Sequence, residues 1–229
     1  MKNTFLGKLL HLADPTLPIG GFTHSNGLET YVQQGLVHDK ATTDKYVRHN
    51  LWYNLKYNDA VLMKLAYEAT SKQDLPTLIA LDQECTALKS PREIREASKK
   101  LGLRIYKIFS RYQQEDFVIA WGDLIQQKKV DSHYCLMYGM LAALLDIPLE
   151  EALHGFYYNA AITMVTNAVK LVPLGQLDGQ DVLFGLHDDI LELCQETLSV
   201  ERNLVGLCNI GFDIRCMQHE RLYSRVYIS

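Results

Sequence analysis

The side chains best suited to chemistry lie together near the start of the chain, in Thr23-His24-Ser25-Asn26. A hydroxyl beside an imidazole could act as a nucleophile with its general base, and Glu29 could supply a further proton donor or acceptor. Neighbouring residues rarely aim a hydroxyl at an imidazole, however, and the chain has no G-x-S-x-G turn to present a serine. We therefore predict that the chain is not an enzyme.

The soft and borderline metal ligands lie near the end of the chain, at Cys208, Cys216 and His219. A stable site usually needs three or four ligands with orienting partners, and the Cys216–His219 pair has no second close pair beside it. The chain also lacks the phosphate loop G-x-x-x-x-G-K-[ST]. We predict no bound metal, no cofactor and no GTP binding by this chain alone.

The segment around His24 is a loop between two helical patterns. Pro15 and Pro18 interrupt the apolar pattern of residues 5–13, and a second helical pattern begins at Leu28 with Glu29 near its positive end. Elaborate loops between helices often carry function. The alternative is a helix-capping loop whose hydroxyl groups are fortuitous.

Helical periodicity dominates the rest of the sequence, and strand signals are nearly absent. The sharpest start signal is Ser90-Pro91-Arg92-Glu93, which offers an N-cap serine, a proline at the first helical position and the glutamate of a capping box. We predict an all-α fold, a single-domain helical bundle over residues 1–208. Residues 209–229 have no convincing helical stripe and are predicted to be an interaction tail of the same domain. The predicted helices are residues 44–69 with Thr43 as N-cap, 91–108, 116–129, 132–145, 148–171, 180–198 and 201–208.

Composition excludes several classes of protein. The net charge of −4 gives no electrostatic footprint for nucleic acid. Five scattered cysteines, an odd number, argue against a disulfide framework and for a reducing compartment. Cys85, Cys135 and Cys194 fall in apolar helical patterns, where cysteine is usually a small core residue. The longest apolar stretch, residues 134–145, is too short to span a bilayer. We predict a cytoplasmic protein that binds neither nucleic acid nor membrane.

Four stretches resemble a known family. Residues 17–29, LPIGGFTHSNGLE, closely resemble the signature of the UreF family of urease accessory proteins. Residues 95–102, 173–176 and 219–225 resemble later stretches of the same family, in the same order. Asn26 stands where that family usually has an aromatic residue, and Lys170 where it usually has arginine.

The resemblance implies an all-helical homodimer without enzymatic activity of its own. Its partners would be UreD (UreH), the GTPase UreG and the urease apoprotein, and its role would be to couple GTP hydrolysis by UreG to nickel insertion. The rival hypothesis is a small all-helical metal-dependent hydrolase that uses His24, Glu29 and His219. The residues predicted to contact partners or line a nickel path are His24, Ser25, Glu29, Lys170, Gln176, Tyr223 and Arg225.

Two expectations follow, one for the tail and one for Glu29, which closes the best-matched motif. Tyrosine and arginine are enriched at binding hot spots, so we expect residues after Leu222 to serve assembly rather than the core. We also expect loss of the Glu29 carboxylate to impair urease activation while leaving the melting temperature nearly normal. The alternative is that the tail docks within the chain and completes its core.

Overall fold

Every regular element is a helix in the part of the chain that the computed structural model describes, residues 4–21, 24–207, 209–223 and 225–227. The predicted all-α, single-domain fold is confirmed. No described helix is long and apolar enough to cross a membrane. The helices are α1 Leu6–Leu12, α2 Leu28–Gln33, α3 Lys40–His49, α4 Val61–Ser71, α5 Leu75–Leu88, α6 Arg92–Phe109, α7 Asp116–Gln126, α8 Tyr134–Leu144, α9 Leu149–Leu171, α10 Gln176–Phe184, α11 His187–Leu198 and α12 Ile210–His219.

Helix α8 lies at the centre of the core. Its sequence YCLMYGMLAAL is apolar on all sides, which predicts a helix surrounded by protein. In the structure α4 and α6 pack against α8, and nine of its eleven residues are buried. The long helix α9 begins after Pro148 with two glutamates in its first turn, as the sequence predicts, and also packs on α8.

The predicted helix over residues 44–69 is three consecutive helical segments. It begins earlier, at Lys40, because Asp39 rather than Thr43 is the N-cap: the Asp39 carboxylate accepts from the backbone N–H of Thr42 at 2.8 Å. Between α3 and α4 the backbone takes the wider π-helical form over Asn50–Ala60. Such segments are rare and are frequently found at functional sites.

Three further differences from the sequence-based prediction lie in α5, at the start of α6 and within the predicted helix over residues 180–198. Helix α5 was not predicted; Asp74 caps it by accepting from the backbone N–H of Thr77 at 3.1 Å. Helix α6 begins after Pro91 without the predicted Ser90 cap. The predicted helix 180–198 is interrupted at Gly185, whose carbonyl accepts from Arg48 at 2.8 Å.

The predicted helix over residues 201–208 is only a short 3-10 turn, Arg202–Leu204. The backbone leaves it at Gly206, which has a positive φ of 82° and donates its N–H to the carbonyl of Tyr57 at 2.8 Å. Cys208 lies outside the described residues.

The tail contains a helix, α12, which corrects the prediction that residues 209–229 lack one. Phe212, Cys216 and His219 recur at helical spacing and are buried against α2 and α6. Ile210 and Ile214 lie on the exposed face of the same helix. Apolar residues on the exposed face weaken the amphipathic contrast by which a sequence reveals a helix.

Gly102 lets α6 approach the start of α8 closely. A Cβ at this position would collide with the backbone carbonyl oxygen of Ser132, and backbone cannot rotate away. We expect Gly102→Ala to lower the free energy of unfolding by about 1–3 kcal/mol through overpacking. Urea denaturation provides the measurement, with Gly7→Ala as the control.

Gly7 in α1 faces open space, so its replacement should be neutral or stabilise the helix by up to about 1 kcal/mol. Equal denaturation midpoints for the two alanine variants would show that the approach of α6 to α8 is not limited by Gly102.

Candidate functional site

Four ionisable side chains from different parts of the chain meet beside the tail. Glu29 lies in the first turn of α2, Glu93 in the first turn of α6, His219 at the end of α12 and Arg225 in the tail. His219 Nε2 is 2.8 Å from Glu29 Oε2, and its Nδ1 is 2.7 Å from Glu93 Oε2. Arg225 Nη1 donates to Glu93 Oε1 at 2.7 Å. We call these four residues the tail network.

The tail network is a chain of side-chain hydrogen bonds in the order Glu29, His219, Glu93 and Arg225. Both ring nitrogens of His219 face carboxylate oxygens, and only the imidazolium form donates a proton at both. His219 is 1% exposed and Glu29 4%, so these hydrogen bonds lie away from solvent. Buried polar groups are stable when they are hydrogen-bonded, and each ring nitrogen of His219 has a carboxylate partner here.

Glu29 also binds the tail backbone directly. Its Oε1 accepts from the N–H of Val226 at 2.8 Å, and its Oε2 accepts from that of Tyr227 at 3.1 Å. Tyr227 is buried. The tail therefore docks within the chain, which is the alternative to the role expected from the sequence. Glu29 anchors the tail, so its loss should lower the stability of the protein.

Local sequence around Glu29 explains how α12 comes so close to α2. Gly27 has a φ of 80°, and a Cβ there would collide with the Cys216 sulfur. The Thr30 hydroxyl donates to the carbonyl of Arg215 at 3.0 Å. Glycine is thus required at position 27 both for the backbone turn and for the helix contact.

The opening loop is held by side chains of the helices beneath it. Three hydrogen bonds from these side chains to loop carbonyls indicate an ordered loop, in which His24 and Ser25 are buried. Phe22 and Thr23 of the same motif lie outside the described residues. The donors are Asn159 to the carbonyl of Ala13 at 2.9 Å, Arg104 to that of Ile19 at 2.7 Å, and Asn167 to that of His24 at 2.8 Å.

His24 is in a poor environment for a cation. Burial lowers the pKa of its imidazole, and the charges of Lys100 and Arg104 lower it further. The same two charges would repel a metal ion. Within the described residues no group of three or more His, Cys, Asp or Glu side chains could hold a metal, which gives the hydrolase hypothesis no support.

The remaining predicted residues lie at the surface in two places. Lys170 and Gln176 are exposed where α9 ends and α10 begins. Tyr223 is fully exposed in the tail. Val226 is exposed as well, although its backbone is bound by Glu29.

Sequence reasoning missed the exposed apolar row on α12. Ile210, Ile214 and Met217 follow one another at helical spacing and are 66%, 49% and 42% exposed. With Tyr223 and Val226 they form what we call the tail surface. Sequence reasoning also missed the contact of Glu93 with His219, because Glu93 was interpreted as part of a helix-capping signal.

Beneath the opening loop lies a cavity of about 170 Å³. The π-helical segment contributes Asn50, Asn54 and Asp59 to its wall, and Lys89, the residue after α5, also lines it. The wider π-helical turn therefore positions polar side chains at an internal surface.

Comparison with known proteins assigns the chain to a family. The UreF family model matches residues 37–187. A urease accessory protein UreF of Actinobacillus pleuropneumoniae is 46% identical over 224 residues, covering 98% of this chain and 99% of the relative. One from Haemophilus influenzae (strain PittEE) is 45% identical over 226 residues, covering 99% and 96%. One from Arthrobacter sp. (strain FB24) is 32% identical over 221 residues, covering 96% of each. The chain therefore belongs to the UreF family of urease accessory proteins, which are not enzymes.

Proposed function

We propose that this protein joins UreD (UreH) and the GTPase UreG in a complex with the urease apoprotein. In that complex it favours one nucleotide state of UreG, so that GTP hydrolysis and nickel insertion become linked. Membership of the UreF family supports the urease-related role. The choice of partners rests on the resemblance of residues 17–29 and 219–225 to the family's motifs.

The observation that carries the proposal is the tail surface. Its five residues are apolar or aromatic, exposed, and presented by one helix and the segment that follows it. Three of them recur along one face of α12, and a row of exposed apolar side chains is typical of a protein-binding surface. Aromatic residues such as Tyr223 are common among binding hot spots. We assign this surface to UreD.

The tail network gives the tail surface its shape before a partner arrives. Glu29 binds the backbone of Val226 and Tyr227, so the conformational entropy of that segment is already reduced in the free protein. Glu29 thus serves partner binding by positioning the tail. Arg225 combines both roles, because it pairs with Glu93 and keeps part of its side chain exposed.

Lys170 and Gln176 belong to a second proposed contact. They are exposed at the junction of α9 and α10, beside the exposed apolar side chain of Leu177. Buried His24 and Ser25 are unsuited to direct partner contact. The positive charges beside His24 also disfavour a nickel path along it.

We further propose a homodimer in the cytoplasm. Support for the compartment comes from Cys85, Cys135, Cys194 and Cys216, which are free thiols in the described residues. Cytoplasmic proteins are kept in that state by the cell's reductants.

Co-purification tests the proposed function. A tagged chain expressed with the urease proteins, UreD and UreG should retain both accessory proteins, and its omission should leave urease with little nickel and little activity. A chain that retains neither accessory protein, or whose omission leaves nickel content and activity unchanged, would contradict the proposal.

A further inference from the structure

Two cysteines that are 50 residues apart in sequence lie side by side in the core. Cys85 on α5 and Cys135 on α8 are both fully buried, and their sulfur atoms are 3.8 Å apart. This separation allows an S–H···S hydrogen bond and is longer than a covalent S–S bond by less than 2 Å. A small movement of the two side chains would therefore bring the sulfurs together.

The surroundings of the pair favour a thiolate on one sulfur. Lys89 caps the end of α5, four residues after Cys85, and its ammonium group contacts Asp59 at 2.8 Å. The hydrogen bond with Cys135 lowers the pKa of Cys85, and the charges of Lys89 and His133 lower it further, although burial opposes them. Burial raises the pKa of Cys135. The pair thus combines a nucleophilic sulfur with a neighbouring thiol.

A cavity adjoins the ends of α5 and α8 that carry the pair. The cavity beneath the opening loop is lined by Lys89, four residues after Cys85, and by Tyr134, which precedes Cys135 in the chain. Its volume of about 170 Å³ accommodates a molecule of a few heavy atoms. A small uncharged oxidant fits this space better than a peptide or a bulky disulfide reagent.

We propose that Cys85 and Cys135 form an oxidative modification site at which a hydroperoxide converts the two thiols into a disulfide that joins α5 to α8. This inference is independent of the partners proposed above, because it rests on two core residues and the cavity beside them.

The chemistry proceeds in two balanced steps. The Cys85 thiolate attacks one peroxide oxygen; an S–O bond forms, the O–O bond breaks, and the leaving hydroxide or alkoxide takes up a proton. The Cys135 sulfur then attacks the sulfenic sulfur of Cys85. The S–S bond forms, the S–O bond breaks, and the hydroxyl group departs as water with the proton of the Cys135 thiol. Both sulfurs are oxidised, and the peroxide is reduced.

Peptide mapping after mild peroxide treatment tests the proposal. The full-length protein is treated with hydrogen peroxide in its folded state. It is then unfolded in a denaturant that contains iodoacetamide and digested with trypsin. Tryptic peptides 73–89 and 130–170 contain one cysteine each, Cys85 and Cys135. We expect a cross-linked pair of these two peptides, and a loss of two alkylatable thiols from the five in the chain. Thiol reduction should restore both.

Two variants give the matched controls. Cys135→Ser should abolish the cross-linked pair and leave oxidation at Cys85 as a sulfenic acid that dimedone traps. Cys194→Ser should leave the cross-link unchanged, because burial raises the pKa of Cys194 to about 12. Full alkylation of Cys85 and Cys135 in the treated wild-type protein would overturn the proposal. So would equal oxidation of all five cysteines, which would indicate unfolding rather than a selective site.

Discussion

Replacement of His219 by alanine is expected to lower the free energy of unfolding by about 3–5 kcal/mol. The change removes the imidazole ring between Glu29 and Glu93, whose carboxylates His219 contacts at 2.8 and 2.7 Å. The buried Glu29 carboxylate would then lose its side-chain partner. Urea denaturation followed by circular dichroism measures the loss.

The neighbouring residue supplies a matched control. Glu220 pairs with Arg92 at 3.2 Å on the surface, where ion pairs contribute about 0–1 kcal/mol. Glu220→Ala should therefore have a small effect on the denaturation midpoint. Limited trypsin digestion gives a second measurement: cleavage after Arg225 should accelerate in His219→Ala and stay slow in Glu220→Ala. Equal stability and equal cleavage in the two variants would show that the tail network does not hold the tail.

Sequence patterns were sufficient to predict the central helices. The apolar run of α8 and the proline and acidic residues that open α9 are local signals, and local signals specify local structure. The pattern failed at α12 because Ile214 and Cys216 put apolar groups on opposite faces. It also failed at Asn50–Ala60, since a π-helical segment has no separate signal in the hydrophobic period.

The candidate site could be predicted only in part. Resemblance to a family marked Glu29 and the tail, but the meeting of Glu29, Glu93 and His219 depends on how α2, α6 and α12 pack. Such contacts join residues that are 126 and 190 positions apart, and no spacing rule links them. The Cys85–Cys135 pair was missed for the same reason.

The second large expected effect is a loss of UreD binding when the tail surface is changed. The double variant Ile214→Asp with Met217→Asp is expected to weaken UreD binding by at least about 100-fold, because each buried apolar side chain contributes about 1.5–3 kcal/mol. Both side chains are already exposed in the free protein. The variant should therefore fold normally, with its melting temperature close to that of the wild type.

Point variants test this surface more cleanly than truncation after Leu222. The truncated chain would lack the buried Tyr227 ring and both backbone donors to Glu29, so a loss of binding would be mixed with a loss of stability. Substitutions at Ile214 and Met217 leave the tail network intact, because those side chains face away from the buried side of α12.

The most direct test of the central claim is the dissociation constant for purified UreD, measured by calorimetry with folded variants. Leu191→Asp on α11 is the matched control, since Leu191 is an equally exposed apolar residue on a different helix. We predict that UreD binds the wild type and Leu191→Asp with similar affinity and binds the Ile214→Asp, Met217→Asp protein at least about 100-fold more weakly. Equal affinity for all three proteins would contradict the assignment of the tail surface to UreD.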